Sequence, residues 1–189
     1  MRIDIVVFDG FDELDVFGPF EVLSIAGFDV RLVAVERPGR VTSMRGVELR
    51  VPDVLGPADG VIVPGGGWLN RAAEGAWAQA QRGELAAKLS ALAPSTRWMA
   101  SVCTGALLLA AAGLLTGRRA TTNRHAYDEL RGYDVTVLDE RVVDDGDRVT
   151  AGALTAGLDL GLWLTERELG AGTADQVAAT IEYARTPSR

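Results

Sequence analysis

Short apolar runs bounded by glycine, proline or aspartate alternate along the chain with longer stretches whose apolar residues recur at helical spacing. Ile3 to Phe8, followed by Asp9-Gly10, predicts a buried strand and a turn. Phe17-Gly18-Pro19 opens a segment carrying Phe20, Val22, Leu23 and Ile25, which predicts a helix with Pro19 in its first turn and Gly27 at its close. Val30 to Val35 predicts a second strand, and Val41 to Ser43 with Val47 to Leu49 around Gly46 a small hairpin. Val61-Ile62-Val63 predicts a third core strand, running into Pro64-Gly65-Gly66-Gly67. A helix is expected over Glu84 to Leu92, stopped at Pro94, then a strand over Thr96 to Val102 and at once a helix over Thr104 to Leu115. Val135 to Leu138, Arg141 to Val143 and Val149 to Ala151 predict later strands, and Thr155 to Leu169 and Ala174 to Ala184 closing helices. The last residues, which include Pro187, are expected to fray.

Strands alternating with helices predict an α/β fold, a three-layer sandwich whose mostly parallel sheet is covered on both faces. No linker, repeat or low-complexity tract divides the chain, so residues 1–189 are read as one domain. A composition 48% hydrophobic and 24% charged supports a packed core rather than disorder. The formal net charge is −7, Lys88 is the one lysine and the arginines are scattered, so the clustered cations that bind phosphate are missing. The expectation is a small-molecule substrate and no nucleic-acid partner. The start carries Asp4 inside its apolar run and no basic head, unlike a secretory leader. The apolar run Ala106 to Leu115 is about half the ~20 residues of a membrane span. A cytoplasmic protein without a membrane partner is therefore expected.

Cys103 is the one cysteine, so no internal disulfide is possible. It stands where the expected strand ends and the next helix begins, with the small residues Thr104 and Gly105 directly after it. Such a turn is the cysteine version of a nucleophile elbow, a strained position that exposes one side chain at the carboxyl edge of the sheet. Free backbone N–H groups and the helix dipole would lower the thiol pKa there, or stabilise an anion developing on a substrate. The alternative is a small, inert core cysteine.

The loop Gly65-Gly66-Gly67 lets backbone amides approach a ligand, yet it lacks a phosphate loop's lysine and the spacing of a dinucleotide fingerprint. It is read as an oxyanion loop, against the alternative of a plain turn. Asp12-Glu13-Leu14-Asp15 is either a helix cap or the source of a buried carboxylate beside the thiol. His125 is the one histidine and could pair with Cys103 in space or stand exposed at a helix start. No cluster of histidines, cysteines and acids suggests a metal.

Taken together, these segments resemble the ThiJ/PfpI superfamily, whose fold is similar to class I glutamine amidotransferases and flavodoxin. The resemblance is carried by Leu14-Asp15-Val16-Phe17-Gly18-Pro19-Phe20-Glu21-Val22, Val63-Pro64-Gly65-Gly66 and Ser101-Val102-Cys103-Thr104-Gly105-Ala106. It continues in Ala112 to Thr122 and in Leu154-Thr155-Ala156-Gly157-Leu158-Asp159. Within the superfamily the chain resembles the isonitrile hydratase branch. The resemblance implies Cys103 as nucleophile, Asp15 orienting water or moving protons, Thr104 lending its hydroxyl and N–H, and the Gly66-Gly67 loop meeting the substrate anion. It also implies no metal or organic cofactor, and a homodimer. Two departures stand out: Asn123-Arg124-His125 replaces the branch's His-Trp after Ala-Thr-Thr, and Gly152-Ala153-Leu154 replaces a more glycine-rich run. Thr104 stands where the protease-like branch has histidine. Two other roles fit the same resemblance: a ligand sensor like those of AraC-type regulators, and a redox protein that oxidises Cys103 to a sulfinic acid.

Overall fold

The computed structural model describes residues 1–185. Pro187, in the terminus expected to fray, lies outside them. Seven strands form the central sheet: β1 (Arg2–Val7), β2 (Asp29–Ala34), β5 (Asp53–Val54), β6 (Gly60–Val63), β7 (Trp98–Val102), β10 (Val142–Asp144) and β11 (Arg148–Ala151). Their order is β10-β11-β7-β6-β1-β2-β5, and all neighbours are parallel except the antiparallel edge pair β10–β11. All residues of β6 and β7 are buried, which is why both read as unbroken apolar or small-residue runs rather than alternating ones. The hairpin is β3 (Gly39–Thr42) with β4 (Glu48–Val51), antiparallel and outside the main sheet. A second small sheet pairs β8 (Arg119–Ala120) with β9 (Thr136–Val137).

Helices form two packed groups, the outer layers of an α/β three-layer sandwich. One contains α1 (Glu13–Ile25), α6 (Ala156–Leu169) and α7 (Ala171–Thr180). The other contains α2 (Ala76–Arg82), α3 (Glu84–Leu92), α4 (Gly105–Ala111) and α5 (Tyr127–Arg131). Among the described residues no helix is long and apolar enough to cross a membrane.

Several boundaries differ from the sequence reading. Helix α1 starts at Glu13, so Pro19 lies inside it and not in its first turn. The start is set by Asp12, whose carboxylate accepts the Leu14 N–H at 3.0 Å. Helix α4 stops at Ala111 rather than Leu115, ahead of Gly113 in the left-handed region. Helices α2 and α5 were not anticipated; at 7 and 5 residues, they are too short to show a helical period.

The topology positions the site. After β1 the chain builds β2 and β5 on one side, then returns to place β6 and β7 on the other. The strand order therefore reverses between β1 and β6, and α/β sheets bind ligands at the carboxyl ends of strands beside such a reversal. Asp15 follows β1, the glycine loop follows β6, and Cys103 follows β7.

Candidate active site

Cys103 is the residue between β7 and α4, and its φ of 55° is one that a side chain rarely adopts. Its backbone is held from three directions. The N–H donates to the carbonyls of Gly152 at 2.8 Å and Ala151 at 3.1 Å, and the carbonyl accepts the Thr122 hydroxyl at 2.7 Å. Such a set of bonds is what keeps a strained elbow from relaxing. Two glycines let the β6 loop press against it. A Cβ on Gly105 would lie 2.1 Å from the Val63 carbonyl oxygen, and one on Gly65 would lie 2.4 Å from the Thr104 hydroxyl. Side chains are sterically excluded at both positions.

Asp15 comes from the first turn of α1 and is wholly buried. Its two oxygens accept backbone N–H groups, Gly65 at 3.0 Å and Leu154 at 3.2 Å. The Cys103 thiol beside it favours its charged form. Burial, with a contribution from the Asp12 charge, still pushes its carboxyl up to about 8. The Cys103 thiol is pushed up to about 12, by burial first and by the Asp15 charge second. Against this stand the Asn123 amide and the Thr104 N–H. Both groups therefore hold their protons at neutral pH, and the Asp15 carboxyl is the first of the two to ionise.

Two expectations are thereby corrected. The elbow does not expose the sulfur: Cys103 is 6% exposed. Nor do the dipoles of the turn lower the thiol pKa, because burial and the nearby carboxylates outweigh them. Helix α4, with 7 residues, also supplies only a short dipole.

The structure brings Cys103, Asp15, Thr104 and Gly66 together. Gly66 donates its N–H to the Thr104 hydroxyl at 3.3 Å, so the amide expected to face a substrate is engaged within the site. Gly67 turns away, toward Ala72, Glu74 and Gly75. His125 is exposed, and its backbone N–H donates to the Asn123 side chain at 3.0 Å. The residues that sequence reading missed are Asn123, whose amide nitrogen lies 3.5 Å from the sulfur, and Thr122, Gly152 and Leu154, which hold the elbow and the carboxyl. The two departures, at Asn123 and at Gly152-Ala153-Leu154, were the sequence signals for these residues. A cavity of about 480 Å³ adjoins the elbow, lined by Thr122, Asn123, Tyr127, Arg141, Gly152 and Ala153 among others.

Comparison with known proteins places the chain among relatives of known family and fold. Residues 1–167 match the DJ-1/PfpI family. The chain is 34% identical over 191 residues to an isonitrile hydratase of Pseudomonas putida, covering 99% of this chain and 80% of that one. It is 30% identical over 174 residues to the deglycase PYRAB04690 of Pyrococcus abyssi, covering 88% and 96%. The crystal structure of a ThiJ/PfpI family protein from Pseudomonas syringae superposes with a TM-score of 0.85 at 28% identity, covering 100% of this chain and 77% of that one. With the elbow at Cys103 and a match of this extent, the chain belongs to the DJ-1/PfpI family.

Proposed function

We propose that this protein is a cysteine-dependent lyase of the isonitrile hydratase type, adding water to an isonitrile to give an N-substituted formamide. The observation that carries the reading is the buried Asp15–Cys103 pair, which holds a nucleophile and a proton carrier at one point. The similarity to the Pseudomonas putida enzyme along almost the whole chain supports it.

In this reading the Cys103 proton passes to the Asp15 carboxylate as the sulfur attacks the terminal isonitrile carbon. Asp15 returns that proton to the carbon, leaving a thioimidate. Water then adds to the thioimidate carbon, its protons going to nitrogen and to the sulfur as the carbon–sulfur bond breaks. The balance is one isonitrile and one water to one formamide, with Cys103 regenerated. An acid with a pKa of about 8 is suited to such two-way traffic at neutral pH. Thr104 and the Gly65-Gly66 loop pack against the carboxyl, and no metal or organic cofactor is called for. The whole chain acts as one domain, as a homodimer, in the cytoplasm, the dimer following from the family and the cytoplasm from a start unlike a secretory leader and apolar runs too short for a membrane span.

The redox reading fares worse, because a buried thiol with a raised pKa reacts slowly with peroxide. Incubation with an aryl isonitrile tests the proposal. Wild type is expected to form the formamide and Cys103→Ala to form none; a wild type without turnover overturns the isonitrile assignment.

A further inference from the structure

We propose that Asn123 is a catalytic residue, whose side-chain amide donates to the Cys103 sulfur and holds the negative charge that appears there. The inference rests on the reading of Cys103 as the nucleophile, and it names the group that makes that sulfur usable.

The direction of the amide is set by its surroundings. Asn123 is the cap of the short turn Arg124–Ala126, and its Oδ1 accepts the His125 N–H at 3.0 Å. With the oxygen engaged there, the NH2 group faces the sulfur, at 3.5 Å. The neighbouring Thr122 hydroxyl bonds the Cys103 carbonyl at 2.7 Å, so the same segment grips both the backbone and the side chain of the nucleophile. Asn123 also lines the adjoining cavity, together with Thr122 and Gly152, which hold the backbone of the elbow.

The electrostatics give the amide a task. The charged groups that act on the sulfur are Asp15 and Asp12, both acidic. Arg45 is drawn off to Asp12 at 2.9 Å and to Glu13 at 2.6 Å. From the cavity side, Tyr127 donates to Asp139, Arg141 is bound to Asp159, and Arg124 and His125 are exposed on the turn that Asn123 caps. A thiolate formed here therefore relies on neutral donors, the Asn123 amide and the Thr104 N–H. When the thiol proton moves to Asp15, the charge it leaves on sulfur is met by these two N–H groups. A neutral amide does this at every pH, whereas a histidine there would add its own titration.

The test separates the donor from the cap. Asn123→Ser and Asn123→Asp both retain an oxygen for the His125 N–H and both remove the N–H that faces the sulfur. The probe is the rate of Cys103 modification by methyl methanethiolsulfonate across neutral and alkaline pH, paired with the pH profile of iodoacetamide alkylation, with Cys103→Ala as the blank. Loss of one hydrogen bond to a charged sulfur raises the thiol pKa by about one unit. The basicity gained offsets part of the lost thiolate, so Asn123→Ser is expected to react about threefold more slowly at a given pH below the thiol pKa. Asn123→Asp adds a like charge, and about tenfold is expected. Both variants reacting and titrating as wild type does would overturn the assignment, leaving Asn123 as a cap alone. Neither readout uses an isonitrile, so a failure of the hydratase reading and a failure of this one are distinguishable.

Discussion

Two aspartates of this chain are wholly buried at opposite ends of the sheet, and they are held in different ways. Asp4, in β1, receives the Arg2 guanidinium through two bonds of 2.8 and 2.9 Å. Burial raises its pKa, and the arginine hydrogen bonds and charge oppose the rise. Asp15, past the carboxyl end of the same strand, has only backbone N–H groups and a thiol as partners, and its pKa reaches about 8. A full counter-charge makes a buried carboxylate a fixed part of the structure. Partial charges leave the proton within reach at neutral pH, and that is the property a proton carrier needs.

The sharpest way to break this contrast is Asp15→Asn. Turnover of the isonitrile is expected to fall by roughly 10²–10⁴, the range of a lost general acid–base, measured as formamide formed per unit time. Unchanged turnover would make Asp15 a second Asp4. The same variant probes linkage. The folded pKa of Asp15 lies above its usual 3.8, so the native state binds the extra proton, and its stability contribution is lost as pH rises from about 4 through about 8. Chemical denaturation of wild type across that window is expected to show stability falling with pH. In Asp15→Asn this part of the slope disappears, at a uniform cost of about 1–3 kcal/mol, because one of the two N–H donors loses its acceptor.

A smaller effect is expected at the other end. Arg2→Met removes the counter-charge, and the partly exposed arginine discounts the loss to about 2 kcal/mol near neutral pH. Below pH 4 protonation of Asp4 removes most of it, again by denaturation. A loss independent of pH would mean that Arg2 acts by packing. The smallest change concerns Leu154, whose N–H serves Asp15 from a φ of 52°. Leu154→Gly relieves about 1 kcal/mol of strain and loses a similar amount to chain entropy, so a net change under about 1 kcal/mol is expected in the thermal midpoint and unfolding energy. A loss of 2 kcal/mol or more would show that the side chain itself holds the loop.

Most of the sheet was readable in order because its central strands are buried on both faces and appear as apolar or small-residue runs. Cys103 at the strand–helix junction was readable for the same reason, helped by the small residues after it. The acidic cluster split along both of its readings, Asp12 as cap and Asp15 as buried carboxyl, and nothing local separates the two. Pro19 misled the start of α1, since a capped helix that packs along α6 tolerates a proline that local preference places in the first turn. The glycine loop was read as aimed at substrate, yet its first two N–H groups serve Asp15 and Thr104.

By itself, then, the amino-acid pattern determined an α/β sheet with a cysteine at a strand end, because burial and turn chemistry act over a few neighbouring residues. Tertiary structure decided the chemistry of that cysteine. Its exposure, the buried carboxyl 88 positions earlier and the amide 20 positions later depend on groups that meet only once the sheet is assembled. Electrostatics in a buried site is a sum over such distant neighbours, and no local stretch of the chain contains it.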